Sequence, residues 1–142
     1  MWIFDTTRDK KLYNIVLFLV RTTVACFMLT HGLKKFDLLL SGEPVEFADP
    51  FNMGQTTTLV LTIFAEVVCA GLLFVGLATR LVVIPLIITM FVAVFVIHGA
   101  DGFEKQELAG LYLMICVLLL VTGSGKYSLD HFISRKRRKI FY

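Results

Sequence analysis

The sequence predicts an all-α integral membrane protein: a bundle of four helices with both termini on the cytoplasmic side. Three observations carry that prediction. First, 57% of the 142 residues are hydrophobic, above the roughly 45–50% apolar share of soluble domains. Second, the apolar residues gather into four runs, each at or near the length needed to cross a bilayer. A spanning helix takes about 20 residues, because helical rise is about 1.5 Å per residue and the hydrocarbon core is about 30 Å thick. Third, Lys and Arg collect on one side of those runs. In lipid the backbone must satisfy its own hydrogen bonds, so spans of this length are helices. The length suits one domain over residues 1–142.

The first run covers about 12–33 and follows Arg8, Lys10 and Lys11. It exceeds the roughly 7–15 apolar residues of a signal peptide, and no small-residue cleavage site follows, so it reads as a retained helix. The second run covers about 57–78, the third about 81–98 and the fourth about 107–121. The last two are short and need little tilt. Between the first two lies "FDLLLSGEPVEFADPFNMGQ" (36–55), interrupted by Pro44 and Pro50. Its Phe36, Leu38, Leu39, Leu40, Phe47 and Phe51 are too apolar for a solvated linker. They are expected at the bundle mouth, either as an interfacial re-entry or as a lid over a cavity.

Ten of the 14 Lys and Arg residues flank the runs on one side: Arg8, Lys10, Lys11, Arg80, Lys126, and the tail Arg135, Lys136, Arg137, Arg138 and Lys139. Lys34, Lys35 and Lys105 fall on the other side. The positive-inside rule makes the richer side cytoplasmic. The basic tail, within 132–142, suits anionic lipid headgroups, and lipid explains it better than nucleic acid. Trp2, Tyr13 and Tyr127 suit the inner interface as aromatic anchors.

Two charges fall inside the runs. "VLFLVRTTVACF" (16–27) holds Arg21, and "LTIFAEVVCAGLLFVG" (61–76) holds Glu66. Counting helical rise from the expected boundaries puts each about 13–14 Å deep, from opposite sides. In a core of about 30 Å their heights differ by about 3 Å. An Arg21–Glu66 ion pair is therefore expected. It would serve either as a structural clip between helices 1 and 2 or as the polar floor of a ligand cavity, since intramembrane charges often mark sites.

More polar residues gather at the outer mouth. "THGLKKF" (30–36) ends helix 1 with His31, Lys34 and Lys35, and "VIHGADGFEKQEL" (96–108) holds His98, Asp101, Glu104 and Glu107. Arg21 and His31 lie about 80° apart around a helix, and Arg21 and Lys35 about 40° apart. One broad face of helix 1 thus carries all three. Arg21, His31, Lys35, Glu66 and His98 form the candidate ligand-binding set, suited to proton relay or to hydrogen bonding with a ligand carbonyl. Gly32 and Gly99 directly follow the histidines and read as chain breaks at helix ends.

Other chemistry finds little support. The histidine and acid spacing matches no metal motif, with no H-E-x-x-H and no Cys among the candidates. Cys26, Cys69 and Cys116 fall one each on helices 1, 2 and 4 without a C-x-x-C pair, so they read as small hydrophobes. "GSGK" (123–126) lacks the upstream glycine spacing of a phosphate loop. No cofactor motif and no catalytic residue is visible.

The ordered set of motifs resembles a known family. "HGLKKF" ends helix 1, Glu66 precedes Gly71, "GLATR" (76–80) ends helix 2, Met90 and His98 follow, and "GSGKYSLD" (123–130) closes helix 4. Over about residues 15–131 the chain resembles the DoxX family of small four-helix membrane proteins. It departs from the family pattern at Ser124, where a proline is usual, which touches only a turn. The resemblance implies a multi-pass protein of the bacterial inner membrane, linked to quinone-dependent sulfur oxidation and membrane redox complexes. Arg21, His31, Lys35, Glu66, Arg80 and His98 match the family's polar positions, but no settled mechanism supplies a catalytic residue.

The expected function is a quinone-linked or redox-complex-associated subunit with a polar intramembrane pocket. Its expected partners are the lipid bilayer, a redox partner protein and further copies of itself. Two alternatives stand beside it. One is a non-enzymatic scaffold or assembly component. The other is a carrier of a small solute or proton using Glu66, which the lack of an internal repeat disfavours.

Overall fold

The computed structural model describes residues 9–140, and Trp2 and Arg8 lie outside the described residues. Among the described residues five helices follow in order: α1 (Lys10–Leu40), α2 (Gln55–Val75), α3 (Thr79–Ile97), α4 (Phe103–Thr122) and α5 (Leu129–Ile140). The first four are long and apolar enough to cross a membrane. Among the described residues there is no strand. The protein is an all-α membrane bundle of four spanning helices.

The core and the outside are both apolar. Leu17, Val24, Ala25 and Met28 of α1 meet Ala65, Cys69, Ala70 and Leu73 of α2, with Val83 and Leu86 of α3 and Cys116 and Leu119 of α4. The outer surface carries Leu19, Leu61, Ile88, Met114 and Val121, each more than half exposed. Contiguous apolar exposure on this scale is tolerated only where another apolar phase covers it, here lipid. Cys69 and Cys116 lie in the core and Cys26 on the exterior, all as free thiols.

The termini of the spans differ from the sequence expectation in ways that matter. Helix α1 continues to Leu40 rather than ending near Leu33. The loop between α1 and α2 is therefore shorter, 41–54, and Phe36, Leu38, Leu39 and Leu40 belong to the helix. Gly32 is no chain break. It is fully helical and lets α1 touch α2, because a Cβ there would lie 2.7 Å from Val67 Cγ2 and 2.9 Å from Glu66 Cβ. The tail is helical from Leu129, and Arg135 there is exposed.

Two spans contain a wider, π-helical segment: Phe64–Cys69 in α2 and Ala93–Ile97 in α3. Such segments are rare and recur at functional sites. The first carries Glu66, and the second leads into His98.

Candidate functional site

The two buried charges sit at opposite ends of the bundle. In the antiparallel α1–α2 pair, Gly32 lies against Glu66, and Gly76 lies against Arg21. Ten or eleven residues separate those levels, about 15–16 Å of helix. The expected Arg21–Glu66 ion pair therefore does not form. The depth estimate failed because it took the ends of the apolar runs as membrane boundaries. Helix α1 in fact extends to Leu40, which moves its midpoint toward Lys35.

Arg21 is a helix-end clamp. Its Nη1 donates to the Leu73 and Phe74 carbonyls at 2.6 and 2.9 Å, and its Nη2 donates to the Tyr127 carbonyl at 2.9 Å. The last carbonyls of a helix lack intrahelical partners and carry the negative end of its dipole. A planar guanidinium can reach two chain segments at once, and it joins the end of α2 to the segment before α5. Gly76 makes room for it. Its φ of +72° is left-handed, and any Cβ there would collide with Arg21 and lie 2.7 Å from Ser128 Cβ.

Nearby, Asp130 accepts from the Ala78 and Thr79 N–H groups at 2.7 and 3.0 Å. It thus caps α3 from another segment, and its own N–H donates to the Gly76 carbonyl. Arg80 donates to the Val121 carbonyl at the end of α4. This end is a set of cross-connections between termini, in which Arg21 Nε and Thr79 Oγ1 are buried without a hydrogen-bond partner among the described residues.

The opposite end holds the other candidates. Lys35 Nζ lies 2.5 Å from Glu66 Oε1, and Glu66 is only 2% exposed. Lys35 also lies over the Phe47 ring at 5.9 Å, a cation–π geometry. A cavity of about 200 Å³ opens beside the pair, lined by His31, Lys35, Glu66, His98 and Tyr112 among others. The His31 and Tyr112 rings meet edge to face at 6.2 Å. A second cavity of about 160 Å³ lies across the same pair, walled by Phe47, Phe51, Leu61, Ile88, Val92 and Ile97. The α1–α2 loop thus places Phe47 and Phe51 over this second cavity.

Glu66 Oε1 has Lys35, but Oε2 is buried with no hydrogen-bond partner among the described residues. An unmatched buried carboxylate oxygen is costly. Glu66 lines both cavities, so a ligand or water donor that reached Oε2 from either would relieve the cost. The π-helical turn at 64–69 belongs to this arrangement. Its extra residue changes the angle at which Glu66 leaves the helix.

The mouth is organised by Asp101. His98 Nδ1 lies 2.8 Å from Asp101 Oδ2, and Lys105 Nζ lies 3.6 Å from the same oxygen. The His98 hydrogen bond, outweighing partial desolvation and joined by Lys105, holds the Asp101 carboxyl below its usual range. Gln106 donates to the carbonyls of His98 and Asp101, fixing the turn. In the α1–α2 loop, desolvation raises the Asp49 carboxyl, but donations from Gly54, Met53 and Thr58 outweigh it and hold it low. Those bonds tie the loop to the start of α2.

Of the five candidates, then, His31, Lys35, Glu66 and His98 surround one cavity, and Arg21 does not join them. Tyr112 was missed, although a Tyr inside an apolar span is a signal, because its hydroxyl needs a partner. Among the described residues no group of three or more His, Cys, Asp or Glu could hold a metal ion.

A helical membrane protein with an ion pair and a polar cavity inside the bundle is the class this arrangement defines. The chain belongs to the DoxX family, whose profile matches residues 16–99. It is also similar to the uncharacterized membrane protein Rv3486 of Mycobacterium tuberculosis, 28% identical over 131 residues, covering 82% of this chain and 80% of that one. No solved structure matches the chain.

Proposed function

We propose that this protein is an inner-membrane subunit that holds the head of a quinone-type molecule in the outer cavity and works with a redox partner protein. The observation that carries the reading is Glu66 Oε2, buried and unmatched beside two cavities. When bound, a quinone supplies two-electron, two-proton redox chemistry.

The residues suit both states of such a head. A quinone presents acceptor carbonyls, and a quinol presents donor hydroxyls. Lys35 and Tyr112 offer donors, His31 and His98 offer either role, and Glu66 Oε2 offers an acceptor. Lys35 balances the Glu66 charge, so the pair can face a neutral head without leaving a lone charge in lipid. His98 and Asp101 extend the polar chain to the mouth.

Size and polarity divide the two cavities. Each is smaller than the roughly 300–1,000 Å³ of a whole drug-sized site. The polar one, about 200 Å³, suits a ring-sized head. The apolar one, about 160 Å³, opens between α2 and α3 beneath Phe47 and Phe51 and suits the first part of a tail leaving toward lipid. Family membership supports the redox setting, and the positive-inside bias supports cytoplasmic termini.

A calorimetric titration in detergent tests the reading. Short-tailed quinone and quinol analogues are expected to bind wild type, and Glu66→Gln is expected to weaken the quinol more than the quinone, since the lost acceptor faces a donor. Equal binding of both analogues by wild type and Glu66→Gln would refute the assignment. A folded protein that binds neither would point to a scaffold.

A further inference from the structure

We infer that a second site, at the end of the bundle where α1 begins and α5 lies, binds the phosphate-bearing headgroup of an anionic phospholipid. A cavity of about 730 Å³ lies between the start of α3 and the end of α4, bordered by α5. That volume falls in the range of small-molecule sites, and it lies some helical turns from the Glu66 cavities.

Four features give it an anion's chemistry. Thr79 lines it at 1% exposure, and its Oγ1 has no hydrogen-bond partner among the described residues. Arg80 lines it too, is exposed, and uses one donor, to Val121. A guanidinium has five donors in a fork that matches phosphate geometry. His131 adds a ring that can donate. Asp130 shares the cavity, but both its carboxylate oxygens already accept backbone N–H groups, so its charge is tied to the α3 terminus.

The rim decides between lipid and soluble anion. Leu81 at the rim is 68% exposed, and Val121, whose carbonyl Arg80 holds, is 71% exposed. These apolar side chains lie at the ends of spanning helices, where acyl chains run. A headgroup phosphate at Thr79 and Arg80 would leave its chains along them. Basic pockets between spanning helices near the membrane surface are recurrent lipid headgroup sites.

Native mass spectrometry of the full chain, released from mixed micelles of phosphatidylglycerol and phosphatidylcholine, tests this. Wild type is expected to keep one phosphatidylglycerol in preference to phosphatidylcholine. Arg80→Gln is expected to lower its retention about tenfold, the loss of a charge-assisted bond. Thr79→Val is expected to lower it severalfold. Because Thr79 Oγ1 has no hydrogen-bond partner among the described residues, that variant removes no hydrogen bond among them and carries the test if Arg80→Gln fails to fold. Lys34→Gln, exposed at the other end of the bundle, is expected to leave retention unchanged. Equal retention in wild type and Thr79→Val would overturn the site, as would loss on Lys34→Gln alone. Displacement of the lipid by millimolar glycerophosphate would overturn the lipid in favour of a soluble phosphate. None of these outcomes depends on quinone binding at Glu66.

Discussion

Gly76→Ala tests the clamp at the end of α2. The glycine has φ +72°, and a Cβ there would collide with the Arg21 guanidinium and lie 2.7 Å from Ser128 Cβ. Two terms add. A non-glycine residue in the left-handed region costs about 1–2 kcal/mol. Displacing Arg21 from even one of its three carbonyls removes a charge-assisted bond of about 1.5–3 kcal/mol. The expected loss is about 2.5–5 kcal/mol, or roughly 8–17 °C of melting temperature for a chain of this size. Thermal unfolding in detergent, followed by circular dichroism, reads it. The decisive comparison is a double-mutant cycle with Arg21→Ala. In that background Gly76→Ala is expected to cost less by about 1.5–3 kcal/mol, because strain and the Ser128 contact remain but the guanidinium does not. An equal cost in both backgrounds would refute the view that Gly76 exists to admit Arg21.

Three further outcomes follow from the geometry. Lys35→Met strands Glu66 as a buried unpaired charge and is expected to cost about 3–5 kcal/mol in a denaturant titration, most of it recovered when Glu66→Leu is added. Gly32→Ala places a Cβ 2.8 Å from the Glu66 backbone carbon. It is expected to cost about 1–3 kcal/mol by pushing α1 from α2, and to weaken quinol binding in the same sample by moving Lys35. The Asp101 carboxyl is held low by His98. Its contribution to stability is therefore present above the unfolded-state value near pH 4 and is lost as pH falls through the lower folded value. Unfolding midpoints measured from pH 6 to pH 3 are expected to fall less steeply in Asp101→Asn than in wild type.

The spans were legible because hydrophobic runs and backbone satisfaction in lipid leave few alternatives. Each expected span overlaps its helix, and the errors lie at the ends. "HGLKKF" looked like a terminus because Lys34 and Lys35 are charged and Gly32 is a usual breaker. Helix α1 passes through it because Lys35 turns inward to Glu66 and Gly32 seats α2. Those are pairwise facts between helices, and a single sequence shows no pairs. The same ambiguity misassigned Arg21. One buried cation and one buried anion invite pairing, yet a helix C-terminus is an equally good acceptor for a guanidinium. Four of the five candidate ligand residues did converge, because they share the outer ends of the spans. The π-helical turn under Glu66 had no readable signal. It depends on how neighbouring helices pack, rather than on local residue types.

The central claim is that the buried Glu66 carboxylate serves a ligand. Native mass spectrometry after gentle extraction from the membrane tests it most directly. A wild-type species carrying one quinone-sized mass, distinct from any phospholipid, is expected, and that mass is expected to be absent from a folded Glu66→Gln protein. A bare wild-type mass, or an unchanged adduct in Glu66→Gln, would contradict it and leave Lys35 and Glu66 as a structural pair.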